Sequence, residues 1–154
     1  MAPTDTDRIE KKVVLRAPRS RVWRALTDPR EFGAWFGVEL TGGFEPGARV
    51  RGKITHKGYD HLQWDVTVEA MEPERLFSFR WHPYAVDPKL DYSGEPTTLV
   101  VFQLQDVPEG TLLTVVESGF DAIPAARRSE AFRMNDQGWA AQMTSIEGYL
   151  GQAS

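Results

Sequence analysis

The sequence predicts an α+β fold in which an antiparallel β-sheet packs against one long C-terminal α-helix. Five β-rich runs with short breakers between them fill the middle of the chain, which is typical of an antiparallel meander. After residue 124 the apolar residues recur three, four or seven apart, as on one helix face: Phe132, Trp139, Met143, Ile146 and Leu150. A sheet and an amphipathic helix each need a partner for their apolar side, so we expect them to pack together.

The composition excludes several classes of function. The formal net charge is −4 and the chain of 154 residues has no cysteine, which argues against a basic nucleic-acid-binding face, disulfides and thiolate chemistry. No apolar run reaches the roughly 18 residues that span a bilayer. The first residues, MAPTDTDR, lack the apolar region of a secretory signal. We therefore expect a cytoplasmic protein that neither binds nucleic acid nor inserts into a membrane.

The first part of the chain predicts one strand followed by two helices. β-Branched residues within residues 9–16 indicate the strand. Pro18 ends it and suits the first turn of a helix, which is then supported by the helical spacing of Val22, Trp23 and Leu26. A second short helix is predicted over residues 30–35.

The middle of the chain predicts irregular turns and then five strands. Glycine and proline interrupt residues 33–47 repeatedly, which indicates turns. Strands are predicted over residues 49–55, 61–71, 76–82, 97–105 and 111–119. Residues 83–96 carry three prolines and predict a long surface loop. We expect residues 1–8 to be a flexible terminus and residues 9–152 to form a single domain.

Several segments together resemble one protein family. The opening of the family is matched by Ala17-Pro18, Val22-Trp23, Leu26-Thr27-Asp28-Pro29 and Trp35-Phe36. Its later segments follow in order as Gly42-Gly43, Pro73-Glu74-Arg75-Leu76, Gly110-Thr111, Glu117-Ser118-Gly119-Phe120 and Gly138-Trp139. By this order and spacing, nearly the whole chain resembles the Hsp90-ATPase-activator-like branch of the START-like, Bet v 1-like superfamily.

The resemblance implies a helix-grip fold, in which a curved antiparallel sheet of six to seven strands wraps a long C-terminal helix and two short helices follow the first strand. It also implies a cavity between sheet and helix, where many relatives bind small molecules. Some relatives are cyclases or hydrolases, and the namesake of the branch stimulates the Hsp90 ATPase. The separate N-terminal domain by which that co-chaperone grips Hsp90 has no counterpart in these 154 residues.

The last predicted strand carries the most informative polar residue. Leu113, Val115 and Glu117 share one face, so the carboxylate points toward the helix if the two apolar residues do. Burying it is costly unless it is paired or protonated. Glu117 is therefore either a ligand-anchoring or acid–base group, or a strand-end residue that reaches solvent or an arginine.

Aromatic residues supply the other candidates for a binding site. Phe77, Phe79 and Trp81 share one strand face and either form core or line the cavity. Trp35 and Phe36 either gate the cavity or staple the two short helices together, and Tyr84 is a candidate lid. The candidate ligand-binding residues are Trp35, Phe36, Trp64, Phe79, Trp81, Phe102, Val115, Glu117, Phe120, Trp139 and Met143.

No metal, cofactor or nucleophile motif is present in the sequence. His56, His61 and His82 lack the spacing of a zinc motif, and Ser118 does not occupy a Gly-x-Ser-x-Gly elbow. Gly138 lies inside the predicted long helix, where glycine costs about 1 kcal/mol relative to alanine. We expect the reason to be a close approach of helix and sheet beside Trp139.

These observations favour a protein that binds a small apolar or aromatic molecule, and they favour an enzyme less. In that interpretation Trp139 forms one wall of the cavity and Glu117 orients a ligand hydroxyl, amine or ring nitrogen. Two alternatives remain: a chaperone or stress-related interaction module, and a cyclase- or hydrolase-type enzyme that uses a cavity carboxylate. The sequence leaves open whether the chain is a monomer or a dimer.

Overall fold

The computed structural model describes residues 8–55, 63–82 and 94–152, so the predicted lid at Tyr84 and the histidines at 56 and 61 lie outside the described residues. Within these ranges the chain forms β1 (Arg8–Leu15), α1 (Arg19–Thr27), α2 (Pro29–Phe36), β2 (Val38–Leu40), β3 (Arg49–Ile54), β4 (Gln63–Glu72), β5 (Leu76–Trp81), β6 (Thr98–Val107), β7 (Gly110–Ser118) and α3 (Ala125–Gln152). The strands pair antiparallel in the order β1-β7-β6-β5-β4-β3-β2. This confirms the predicted helix-grip fold.

The two short helices follow β1 as predicted. Asp28 lies between them, and its Oδ1 accepts a hydrogen bond of 2.9 Å from the backbone N–H of Arg30, which caps the start of α2. α2 ends at Gly37, whose φ of 91° is left-handed and therefore suits glycine. Trp35 and Phe36 are thereby held in the last turn of α2, facing the core.

One strand within residues 33–47 differs from the prediction of irregular turns. β2 pairs with β3 as the edge of the sheet, with Val38 opposite Ile54. Its three residues are too few to show an alternating pattern. α2 and β2 approach closely at Gly33, where a Cβ atom would lie 2.2 Å from the carbonyl oxygen of Val38. Glycine at this position allows the helix to pack against the strand that follows it.

The core lies between the sheet and α3. The predicted shared faces of β5 and β7 are confirmed, because Phe77 and Phe79, and Leu113, Val115 and Glu117, are buried. Alternate residues of β4 and β6 are buried as well: Trp64, Val66, Val68, Val100, Phe102 and Leu104. From α3, the buried residues include Trp139, Met143 and Ile146.

Within the described ranges, no helix is both long and apolar enough to span a bilayer.

Candidate functional site

The carboxylate of Glu117 is the centre of a polar network inside the core. The register of β7 places Glu117 opposite Val100 of β6, and its side chain is fully buried. Oε2 accepts hydrogen bonds from Thr98 Oγ1 at 2.5 Å and from Trp81 Nε1 at 2.7 Å. Oε1 accepts one from Trp139 Nε1 at 2.8 Å. β5, β6, β7 and α3 are thus joined through one side chain.

Asn135 completes the network from α3. Its Nδ2 lies 3.0 Å from Oε1 and 3.1 Å from Oε2 of Glu117. Asn135 and Trp139 are four residues apart, which places them on the same helix face. Both oxygens of the carboxylate are therefore bonded, and all four donors are uncharged. The interpretation of Glu117 as a strand-end residue that reaches solvent or an arginine is wrong.

The surroundings of Glu117 act on its pKa in opposite directions. Burial raises the pKa because the charged form loses its hydration. The hydrogen bonds from Thr98, Trp81, Trp139 and Asn135 lower it by stabilising the anion. Burial has the larger effect, so the pKa lies above the ordinary value of 4.5. The carboxyl group is thus a neutral acid over a wider pH range than an exposed glutamate.

Three aromatic rings meet beside this network. The indole rings of Trp81 and Trp139 have centroids 5.8 Å apart. The ring of Phe36, at the end of α2, lies 6.2 Å from Trp81 and 6.1 Å from Trp139. Behind them, Trp64 contacts both Phe36 and Trp81, at 5.7 Å and 6.3 Å. Rings therefore fill most of the space between the sheet and α3.

A pocket of about 100 Å³ remains at the edge of this ring cluster. Its wall is formed by residues of α2, β5 and α3: Phe36, Trp81, Met134, Asn135, Gly138, Trp139 and Gln142. Gly138 is exposed, and a Cβ atom there would have no neighbour within 4 Å. The expected close approach of helix and sheet at Gly138 is therefore wrong; the glycine leaves the mouth of the pocket open.

Comparison with known proteins identifies the family. The sequence profile described as Activator of Hsp90 ATPase homolog 1-like protein matches residues 16–151. The chain belongs to this family. No protein of curated function matches the chain significantly in sequence.

Solved structures share the fold of this activator-like chain. Protein MLL2253 from Mesorhizobium loti is similar with a TM-score of 0.76 and 24% identity, covering 96% of this chain and 98% of that chain. DynU16, a protein of the dynemicin biosynthetic locus, has a TM-score of 0.73 and 28% identity over 96% of this chain and 48% of that one. The Aha1 dimer from Colwellia psychrerythraea has a TM-score of 0.68 and 18% identity, covering 93% and 95% of the two chains.

The predicted site residues of this activator-like domain fall into two groups. Phe36, Trp81 and Trp139 line the pocket, and Glu117 lies directly behind the two indoles. The others are buried in the core away from the pocket wall: Trp35, Trp64, Phe79, Phe102, Val115, Phe120 and Met143. Their predicted role in ligand binding stays a prediction.

Two polar pocket residues, Asn135 and Gln142, are absent from the predicted site. A signal for Asn135 was present in the sequence, since it lies one helical turn before Trp139. Gln142 is placed by the end of α2: its Nε2 donates a hydrogen bond of 2.8 Å to the carbonyl oxygen of Phe36. This contact links two helices distant in sequence, so the helical period of α3 could not reveal it.

Trp35 has the predicted stapling contact, whereas a gating role for Phe36 stays a prediction. The indole Nε1 of Trp35 donates to the carbonyl oxygen of Ala25 at 2.8 Å, which staples α2 to α1. The carbonyl of Trp35 in turn accepts a hydrogen bond from Ser145 Oγ on α3. Phe36 turns its ring to the pocket instead. The last turn of α2 is thereby held from both sides, with Phe36 in the pocket wall.

The described residues offer no obvious metal site. Within residues 8–55, 63–82 and 94–152, no three His, Cys, Asp or Glu side chains are grouped so that they could hold a metal ion. The Nε2 atom of His82 lies 3.1 Å from the carbonyl oxygen of Glu95, as a hydrogen-bond partner. The described residues of the pocket wall present rings and two side-chain amides, with the buried carboxyl group of Glu117 behind two of the rings.

The stability contribution of Glu117 should depend on pH. A raised pKa in the folded state means that the contribution is fully present below the unfolded pKa of about 4.5 and is lost as pH rises through the folded value. We expect the stability difference between wild type and Glu117→Gln to fall with rising pH, by at most about 1.4 kcal/mol per pH unit. Urea unfolding of both proteins between pH 4 and 9 measures it. A difference that stays constant across this range contradicts a raised pKa.

Proposed function

We propose that this protein binds a small apolar or amphipathic molecule in the pocket between Phe36, Trp81 and α3. The observation that carries the proposal is an open pocket whose wall joins three aromatic rings to two side-chain amides. Ligand sites typically combine an apolar wall with a few polar groups that orient the ligand. Membership of the activator-like family supports the same location, because the helix-grip fold commonly holds its ligands between the sheet and the long helix.

The size of the pocket restricts the ligand. Sites for drug-sized molecules usually have volumes of about 300–1,000 Å³, whereas this pocket has about 100 Å³. A cavity of about 150 Å³ holds one benzene molecule. The pocket is smaller than that cavity but open to solvent, so it suits a short alkyl chain or a single ring that stays partly at the mouth, either as a whole molecule or as the inserted end of a larger one.

A substitution at the pocket mouth tests this location. A Cβ atom at Gly138 meets nothing within 4 Å, so we expect Gly138→Leu to fold and its longer side chain to block the mouth of the pocket. Gly148→Leu is the matched control, because it makes the same change in α3 where a Cβ atom also meets nothing within 4 Å, outside the pocket wall. We expect Gly138→Leu to weaken binding at least tenfold and Gly148→Leu to leave it unchanged.

The measurement is a ¹H–¹⁵N NMR titration of the three proteins with a library of small aromatic and aliphatic compounds. Saturable shifts at the indole N–H of Trp139 in wild type and Gly148→Leu, lost in Gly138→Leu, support the proposal. Equal binding to all three proteins contradicts the location. An absence of saturable shifts with every compound contradicts the function.

The chaperone-type alternative has less support from the surface. An interaction module of that kind needs an exposed apolar patch of several hundred Å². Among the described residues, Val14 is the one large hydrophobic side chain that is exposed, at 41%. A direct acid–base role for Glu117 is also less favoured, since its carboxylate is fully buried and both oxygens are already bonded.

A further inference from the structure

The polar groups of the pocket wall are oriented alike. Asn135 directs its Nδ2 inward to Glu117, and Gln142 directs its Nε2 to the carbonyl oxygen of Phe36. The carbonyl oxygen of Phe36 can only accept, which fixes the orientation of Gln142. For Asn135, the Nδ2 atom lies within hydrogen-bond distance of both oxygens of Glu117, at 3.0 and 3.1 Å. Among the described residues, neither Asn135 Oδ1 nor Gln142 Oε1 has a hydrogen-bond donor. Both amides therefore keep a free acceptor, the oxygen, on the side opposite the bonded nitrogen.

The indole rings, like the two amides, direct their N–H donors away from the pocket. Trp81 and Trp139 both donate their N–H to Glu117, so each directs its polar edge into the core. What remains for the pocket is the carbon surface of the rings, together with the ring of Phe36. The face of an aromatic ring carries negative electrostatic potential and attracts cations.

The charge distribution agrees with the orientation of these groups. Among the described residues, the pocket wall contains no charged side chain. The ionisable group bonded to three of its members is the carboxyl of Glu117. The nearby carboxylate of Asp136 on α3 is paired with Lys11 at 3.0 Å. Among the described residues, a cation in the pocket would thus meet acceptors, ring faces and one carboxyl group, and no positive side chain in the wall.

We propose that the pocket selects small primary organic ammonium ions over neutral or anionic molecules of the same shape. The inference rests on the proposed function and names its ligand class. The ammonium N–H groups bond to the oxygens of Asn135 and Gln142, and the charge lies against the indole faces in front of Glu117. The alkyl or aryl part of the ion occupies the remainder of the pocket, whose total volume is about 100 Å³.

Three probes with the same ring separate charge from shape: benzylammonium, benzyl alcohol and benzoate. Isothermal titration of wild type at pH 7 should give binding at least fivefold tighter for benzylammonium than for benzyl alcohol, with benzoate weakest. Equal or tighter binding of benzyl alcohol overturns the inference and leaves the proposed function standing. If none of the three binds while neutral library members do, the ligand class is again wrong; if nothing binds at all, the proposed function fails with it.

A charge change at the pocket wall tests the recognition without disturbing Glu117. Gln142→Lys keeps a donor for the carbonyl of Phe36 and replaces the free oxygen by a positive charge. We expect it to reduce the preference for benzylammonium over benzyl alcohol to about one. Thr144→Lys, at an exposed site of α3 outside the wall, is the control for net charge and should keep the preference. An unchanged preference in Gln142→Lys contradicts the proposed mode of recognition.

Discussion

Replacing Glu117 with leucine should lower the free energy of unfolding by about 3–5 kcal/mol at pH 7. The leucine side chain has a similar volume but no acceptor, so it leaves the N–H groups of Trp81 and Trp139 and the hydroxyl of Thr98 without their partner in the core. Each buried donor left unpaired costs about 1–3 kcal/mol. Urea unfolding monitored by far-ultraviolet circular dichroism measures the loss.

Glu117→Gln provides the comparison for this prediction. Glutamine keeps one acceptor oxygen but turns an amide N–H₂ toward the other donors, so we expect a loss smaller than that of the leucine variant and well above zero. A leucine variant as stable as wild type would show that the cost of burying the carboxyl cancels all four hydrogen bonds. That outcome is known for buried ionic groups that are replaced by well-packed apolar ones. The network would then serve to select one arrangement of sheet and helix, without adding stability.

Substitution of alanine for glycine should have opposite effects at two helical positions. In Gly33→Ala the new Cβ atom would lie 2.2 Å from the backbone oxygen of Val38, which cannot move aside as a side chain can. We expect a loss of about 2 kcal/mol or more, as for overpacked cores. In Gly138→Ala the Cβ atom meets nothing within 4 Å, so helix propensity alone acts and should stabilise the protein by about 1 kcal/mol.

Thermal and urea unfolding of the two variants measure this contrast. Because α2 carries Phe36, displacement of the helix in Gly33→Ala should also shift the NMR signals of the pocket residues. The pair controls for the chemical change itself, since both substitutions add one methyl group to a helix. Equal stability of the two variants would contradict the close packing of α2 against β2.

The sequence was sufficient for most of the fold because its periods are long and unambiguous. Alternation through Leu113, Val115 and Glu117 placed the carboxylate on the core side, and the helical period after residue 124 placed Trp139 opposite it. The strand β2 was missed because three residues show no period. Periodicity in the local sequence thus predicts well which face of a strand or helix a side chain lies on.

The details of the candidate site depend on contacts between distant elements, which periodicity does not encode. The four partners of Glu117 come from three separate elements. Strand register and the position of α3 together bring them within hydrogen-bond distance of the carboxyl group. The pocket volume depends on how the rings interdigitate. Gly138 illustrates the difficulty, because a helical glycine is compatible with either close packing or open space, and only the neighbouring atoms decide between them.

The pairing of Trp81 and Trp139 has an optical consequence. Two indoles with centroids 5.8 Å apart and planes inclined by 30° are close enough for their electronic transitions to couple. Such a pair contributes an exciton component to far-ultraviolet circular dichroism, through the intense short-wavelength indole transition, and its sign and size depend on the mutual orientation of the rings. Since both rings line the pocket, we expect the proposed binding of a ligand there to alter this component, so that circular dichroism of the unlabelled protein can detect it.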